Sequence, residues 1–352
     1  MKKLFLLPIL FLSIISYPCL SETMGDLVER DGIYYKEFTE TPFTGEITGE
    51  VQGNYKSGKK EGEWVSYDDN GQLSGKGSFK NGKRDGEWVY YHDKQLWSKG
   101  SYKNGKKEGE WVKYHDNGQL NNKGSYKNGE KEGYWVWYHD NGQLEEKGGW
   151  KNGVMEGESV SYYDNGRLSG KGNWKKGEPE GEWIHYHDNG QLEEKGSYKK
   201  GKEEGEWVKY HDNGQLNNKG SYKNGEKEGY WIWYHDNGQL EEKGGWKNGV
   251  MEGESVSYYD NGQLSGKGSW KKGEPEGNWV HYYDNGQLEE KGSYLNGKEE
   301  GEWVKYYENG QLEEKGSWKN GVMEDEWVSY HSNGIINKEE TGTFKNGKKV
   351  SD

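Results

Sequence analysis

Nine histidines raise a metal hypothesis first, because most stand beside Asp at the end of an aromatic run: His115-Asp116, His139-Asp140, His187-Asp188, His211-Asp212 and His235-Asp236. Adjacent residues of a strand point to opposite faces, so each pair offers one good ligand. Equivalent histidines one repeat apart would stand about 9–10 Å apart, too far to share an ion with bonds of about 2.1 Å. The Gly-Gly-x-Gly-x-Asp calcium pattern and the EF-hand loop are both missing. For catalysis the obstacle is multiplicity. Every carboxylate, His or Ser that could act recurs in near-identical copies, whereas an enzyme needs one asymmetric pocket that excludes water. No nucleophile elbow or phosphate-binding loop occurs either. The sequence therefore predicts no enzyme, no catalytic residue, no metal and no cofactor.

The tryptophans are the better candidates for function. Trp64, Trp88, Trp111, Trp135, Trp183, Trp207, Trp231, Trp279, Trp303 and Trp327 fall at one phase of a repeat. Extra rings occur at Trp137 and Trp233, with Trp150 and Trp246 on the partner strand. Trp135, Trp137, Trp150, Trp231, Trp233 and Trp246 are the candidate partner-binding residues, since spaced rings can anchor a protein or stack on sugars. The competing reading, that the rings glue successive hairpins together, is preferred. At Ser159 and Ser255 the Trp is missing, and Val154-Met155 and Val250-Met251 come just before. Repeat drift explains this more simply than a notch.

The elements that must carry these rings follow from the repeat itself. Variants of Gly-Glu-Trp-Val-x-Tyr begin at Gly62, Gly86, Gly109, Gly133, Gly157, Gly181, Gly205, Gly229, Gly253, Gly277 and Gly301, with Asp325 in the last glycine slot. Steps are 24 residues except one of 23, and twelve repeats fill residues 53–349. Residues 101–196 and 197–292 align without a gap and differ at eight positions, the mark of a block duplication. Each repeat reads as a β-hairpin. Glu63–Tyr67 is rich in β-formers, Asp69-Asn70-Gly71 turns the chain, Leu73–Phe79 returns, and Asn81-Gly82 leads on.

With a three-residue Asp-Asn-Gly loop, Val65, Tyr67, Leu73, Gly77 and Phe79 are expected to share one face. A two-residue loop would move Leu73 and Phe79 to the Trp64 face instead, and the first register is preferred because its face is more apolar. Gly77, Gly100, Gly124, Gly148, Gly172 and Gly196 sit in mid-strand, where glycine weakens a sheet. The expected reason is room for a ring over bare backbone. The fold class is therefore all-β: an elongated ribbon of tandem antiparallel hairpins in one twisted sheet. Some 24 strands at ~4.8 Å give a length of roughly 115 Å. Residues 22–52 form an N-terminal cap with an opening hairpin turned by Asp31-Gly32, and 350–352 form a tail.

Composition agrees. Of 352 residues, 57 are Gly, 18 Trp and 28 Tyr, with 29% hydrophobic, too little aliphatic bulk for a large α/β core. Aromatic richness argues against disorder, and five prolines argue against collagen. Residues 1–21 read as a signal peptide: Lys2-Lys3, the apolar Leu4–Ile15, then Cys19-Leu20-Ser21. That run is too short to span a bilayer, and no later stretch is apolar enough, so no integral membrane span is expected. Tyr17-Pro18 makes a poor lipobox before Cys19, so simple export, periplasmic or extracellular, is preferred over lipid anchoring. Cleavage would move the formal charge from −13 to −15, since 1–21 holds two Lys and no Asp or Glu. An acidic surface disfavours nucleic acid and anionic lipid as partners.

Asn70-Gly71-Gln72-Leu73, Lys76-Gly77-Ser78-Phe79, Asn81-Gly82-Lys83 and Gly86-Glu87-Trp88, with their echoes over roughly 50–349, resemble the MORN-repeat variant family. The resemblance implies a ribbon of β-hairpins. It also implies an antitoxin-like or immunity-type role, from the label that many exported bacterial members carry. The reading is a non-enzymatic exported protein that binds or scaffolds a protein partner. The alternative is an envelope or glycan-binding protein using the aromatic stripe.

Overall fold

The computed structural model describes residues 21–351, so the signal-peptide reading and Cys19 lie outside the described residues. The chain divides into two compact units, the first ending at Glu130 and the second beginning at Lys131. Both are all-β, and the only helical element among the described residues is a single 3-10 turn, Met24–Asp26.

The first unit opens with the hairpin Leu27–Arg30 and Ile33–Lys36, turned by Asp31 and Gly32. The short strand Glu22–Thr23 lies parallel to Gly45–Thr48. From there the chain is an antiparallel meander through Val51–Lys56, Lys59–Tyr67, Leu73–Lys80, Lys83–His92, Gln95–Lys103, Lys106–Tyr114 and Leu120–Lys127. Its core begins where the cap meets the first repeats, with Leu27, Phe43, Ile47, Tyr55, Trp64 and Trp88 buried together. The second unit repeats the same meander from Leu144–Lys151 through Val322–Ser329. It closes with Gly342–Lys345 paired to the last strand, Lys348–Ser351. Val350 and Ser351, assigned above to a tail, belong to that strand.

Two turn types alternate. Within a repeat, Asp68 N–H donates to Gln72 O and Gly71 N–H to Asp68 O, both at 2.8 Å, with Gly71 at φ +73°. This is the three-residue loop expected for Asp69-Asn70-Gly71, a type I turn closed by a left-handed glycine. Between repeats, Asn81 (φ +51°) and Gly82 (φ +78°) make a two-residue turn with both φ positive, the type I′ geometry that matches strand twist.

The expected side-chain register is corrected. Trp64 pairs with Gly77 and Gly62 with Phe79, so Gly77 and Phe79 share the Trp64 face, while Leu73 stays opposite Tyr67. The cause is a bulge: the register shifts between Ser66 and Tyr67, and Ser74 is the extra residue. One added residue inverts the alternation of everything after it. Ser74 Oγ donates to Ser66 Oγ at 3.0 Å, holding the bulge on the Trp64 face.

That face is a herringbone of rings. Trp88 lies flat over Gly77, where an added Cβ would stand 2.2 Å from Trp88 Cδ2. In the second unit the same clash would occur at Gly172 under Trp183 and at Gly268 under Trp279, at 2.1 Å each. Rings of the returning strands meet these indoles edge-on: Phe79–Trp88 at 5.1 Å and 90°, and Trp174–Trp183 at 5.2 Å and 90°. Each such pair contributes about 0.5–1.5 kcal/mol beyond area burial. Where Trp is missing, a methionine replaces it. A Cβ on Gly148 would stand 3.6 Å from Met155 Cε, and one on Gly244 would stand 3.5 Å from Met251 Cε, so these positions are filled rather than notched.

Gly268→Ala is expected to lower the urea midpoint by an overpacking cost of about 1–3 kcal/mol. The same substitution in a Trp279→Leu background should cost markedly less. Equal costs in both backgrounds, read from a double-mutant cycle, would contradict the ring-over-glycine account.

Candidate functional site

The six tryptophans singled out from the sequence are brought together as two clusters of three, both in the second unit. Trp231 and Trp233 lie two residues apart on one strand, so both project to the same face. Trp246 joins them from the neighbouring strand, where it pairs with Gly229. Trp231–Trp233 are 5.9 Å apart and Trp233–Trp246 6.5 Å. The first copy matches, with Trp135–Trp137 at 5.9 Å and Trp137–Trp150 at 6.4 Å.

Each cluster surrounds a lysine. Lys227 Nζ stands 4.6, 4.8 and 4.6 Å from the ring centres of Trp231, Trp233 and Trp246. Lys131 Nζ stands 4.6, 4.8 and 4.2 Å from Trp135, Trp137 and Trp150. These are cation–π distances. In an ordinary repeat the corresponding cation meets fewer indoles: Lys107 lies 4.1 Å from Trp111 and 4.9 Å from Tyr126. Burial pulls the Lys227 ammonium below its usual range, opposed by Glu242. Burial also pushes the Glu242 carboxyl up, reinforced by Glu241 and opposed by Ser255 and Lys227. Glu242 lies directly across the ladder from Trp233, as Glu146 does from Trp137. Trp135 and Trp231 are only 3% exposed. Trp137, Trp150, Trp233 and Trp246 are half-buried and form the outer wall.

Histidines of the loop slot tie one repeat to the next. Nε2–H of His187, His211 and His235 donates to the backbone carbonyls of Tyr210, Tyr234 and Tyr258 in the next repeat, at 3.0, 3.0 and 2.9 Å. Where the slot holds tyrosine, its hydroxyl makes the same bond: Tyr163 to Tyr186 O at 2.6 Å and Tyr259 to Tyr282 O at 2.7 Å. A residue interchangeable with tyrosine is acting as a donor, not as a metal ligand. Among the described residues no group of three or more His, Cys, Asp or Glu could hold a metal ion.

The opposite face carries the residues that sequence reasoning missed. In the second unit it presents a column alternating Val or Ile with Lys, as in Lys243, Val256, Lys267 and Val280. Beside it runs a column of Glu and Ser, as in Glu302 and Ser317. In two repeats the Glu position holds Tyr134 and Tyr230, 70% and 59% exposed. Opposite them, Gly149 and Gly245 replace Ser, because a Cβ there would strike the carbonyl oxygens of Glu156 and Glu252 at 2.1 and 2.2 Å. A groove of about 410 Å³ runs beside Tyr230, lined by Lys243, Glu254, Val256, Lys267 and Asn278. The available signal was Gly-Tyr-Trp standing where other repeats read Gly-Glu-Trp.

These hairpins define a tandem β-repeat protein. The family model described as "MORN repeat variant" matches eleven stretches, at 60–81, 84–104, 107–128, 131–152, 155–176, 179–200, 203–224, 227–248, 251–272, 275–296 and 299–320. The chain belongs to that family, whose repeats are generally non-catalytic binding modules. No curated protein matches. Solved structures similar to it include "Crystal Structure of TcdB2-TccC3", at 12% identity, TM-score 0.17, covering 84% of this chain and 18% of that one. Another is the "Structure of Photorhabdus luminescens Tc holotoxin pore", at 12% identity, TM-score 0.18, covering 87% and 19%. The chain thus spans about a fifth of the length of these structures.

Two outcomes follow. Because the Glu242 pKa is raised on folding, its contribution favours the fold while protonated and is lost as pH rises above the ordinary carboxylate value of 4.5. Glu242→Gln should therefore match the parent chain in melting temperature at pH 4 and exceed it at pH 7; a constant gap would contradict this. His187→Tyr should leave stability unchanged, while His187→Ala costs about 1 kcal/mol in urea denaturation.

Proposed function

We propose that the chain is a non-enzymatic, exported repeat protein that binds a protein partner on its Val/Lys face, with Tyr134 and Tyr230 as anchors. The observation that carries this reading is the exposure of those two rings. The rings of the herringbone are packed against glycine or one another, while these two are mostly exposed, with Lys243 Nζ 4.8 Å from the centre of the Tyr230 ring. Tyrosine is enriched among residues that dominate interface energy, since a rigid ring with a hydroxyl buries area at small entropic cost. Flanking Lys243 and Lys267 with Glu254 offer complementary charges to a partner, which favours rate and register of docking.

The two anchors lie eight strands apart, about 38 Å of ladder at ~4.8 Å per strand. A partner that touches both gains from an effective concentration in the millimolar range. The immunity-like role attached to the family resemblance fits a surface of this kind, because a repeat ladder can mask a large area of a partner without chemistry.

The test uses the mature chain as bait in extracts of its native envelope, followed by affinity measurement on the recovered partner. Tyr134→Ala with Tyr230→Ala should weaken binding by roughly a hundredfold while leaving the melting temperature in place. A partner that binds the double variant as tightly as the parent chain would refute this assignment of the surface.

A further inference from the structure

The two tryptophan clusters lie on the face away from Tyr134 and Tyr230, and their chemistry stands apart from the protein-docking reading. We propose that Trp135–Trp137–Trp150 and Trp231–Trp233–Trp246 are sites for a quaternary ammonium group of the choline type, kept closed in the free chain by Lys131 and Lys227.

Three indole faces around one nitrogen, all within 4.2–4.8 Å, form an aromatic cage that already holds a cation. Cages of this composition favour cations through the ring quadrupole, and indole is the strongest contributor. A primary ammonium is an imperfect occupant. It carries three N–H donors that ring faces satisfy poorly, and its burial costs are visible in the lowered Lys227 pKa. A trimethylammonium group keeps the charge and has no donor to strand. Its methyl groups meet the rings as apolar surface, so it loses less on leaving water.

The surroundings suit the same ligand. Glu242 and Glu146 face the middle tryptophan of each cage, which places negative charge beside the cation. Ser255 and Ser159 donate to those carboxylates at 3.5 and 3.1 Å and hold them there. Met251 and Met155, paired across the ladder from Trp246 and Trp150, extend the apolar wall. Lysine has a flexible four-carbon stem, so withdrawal of Lys227 returns its ammonium to water and opens the cage without moving the backbone.

The experiment titrates the full chain with choline chloride at constant ionic strength and follows tryptophan fluorescence. The neutral isostere 3,3-dimethylbutan-1-ol serves as the control. Saturable quenching with two sites per chain is expected for choline and not for the alcohol. Lys131→Ala with Lys227→Ala removes the resident cations and should tighten choline binding roughly tenfold. Trp137→Phe with Trp233→Phe keeps a ring in each cage and should weaken it, while Trp137→Ala with Trp233→Ala should abolish it. Thermal melts report whether each variant is folded; if the lysine variant is not, the parent chain and the Phe variant decide the question. Absence of saturation by choline in the folded proteins, or equal binding of the alcohol, overturns the proposal. Sedimentation with phosphatidylcholine vesicles assigns the lipid headgroup as the source, and saturation by choline without sedimentation assigns a free solute.

Discussion

The contact on which each unit depends is an indole lying flat on the bare backbone of a glycine one strand away. A side chain there would have to pass through the ring, since the missing Cβ would sit barely 2 Å from indole carbons. The fold therefore exchanges the usual β-preference of a mid-strand residue for ring-on-backbone packing, and this explains a sheet built with so little Leu, Ile and Val. It also sets the range of cooperativity. Each indole touches its own hairpin and the adjacent one, so stability builds by nearest-neighbour terms, as in other repeat arrays.

Around that contact successive repeats of the second unit add polar ties at both ends of their strands. At one end Glu228 Oε2 accepts from Asn248 N–H at 2.9 Å, and Glu252 Oε2 accepts from Lys272 N–H at 2.7 Å. These bonds occupy the exposed amides of the two-residue turns, where a left-handed residue leaves its N–H facing outward. At the other end Asn213 Nδ2 donates to Asp236 O and Asn237 Nδ2 to Asp260 O, both at 2.7 Å. The Asn of the loop is thus fixed twice over, since its Oδ1 also accepts from Gln215 N–H at 2.9 Å within its own turn. A residue that tolerates a turn and ties one turn to the next has few substitutes.

Much of this was legible in the sequence because period-24 spacing reports directly on neighbour packing. The hairpins, the Asp-Asn-Gly loop and the purpose of the mid-strand glycines could all be read from residue types. The register could not. Ser74 looks like any strand residue, and only the count of residues between paired positions shows it as a bulge. Tyr134 and Tyr230 are legible in principle as the two places where Gly-Glu-Trp becomes Gly-Tyr-Trp. Tryptophan in this chain is mostly structural, so the exception in the Glu column is the more informative residue.

On the tryptophan face the repeat leaves one slot chemically free to vary. The ring, the glycine beneath it and the turn amides all constrain what may change. The residue that pairs with the outer ring does not share those constraints: it is Lys60 beside Tyr55, Arg84 beside Phe79, Pro179 beside Trp174, Glu203 beside Tyr198 and Met251 beside Trp246. Cationic, anionic, cyclic and thioether side chains all occupy this slot, and none of them is fully buried. Glu203 raises the pKa of Tyr198 after burial has done so, whereas burial lowers that of Lys227, opposed by Glu242. Neighbouring repeats with the same backbone thus present opposite electrostatics above the same aromatic floor. A ladder of this kind changes the chemistry above its rings by changing one residue per repeat, and a block duplication copies the result.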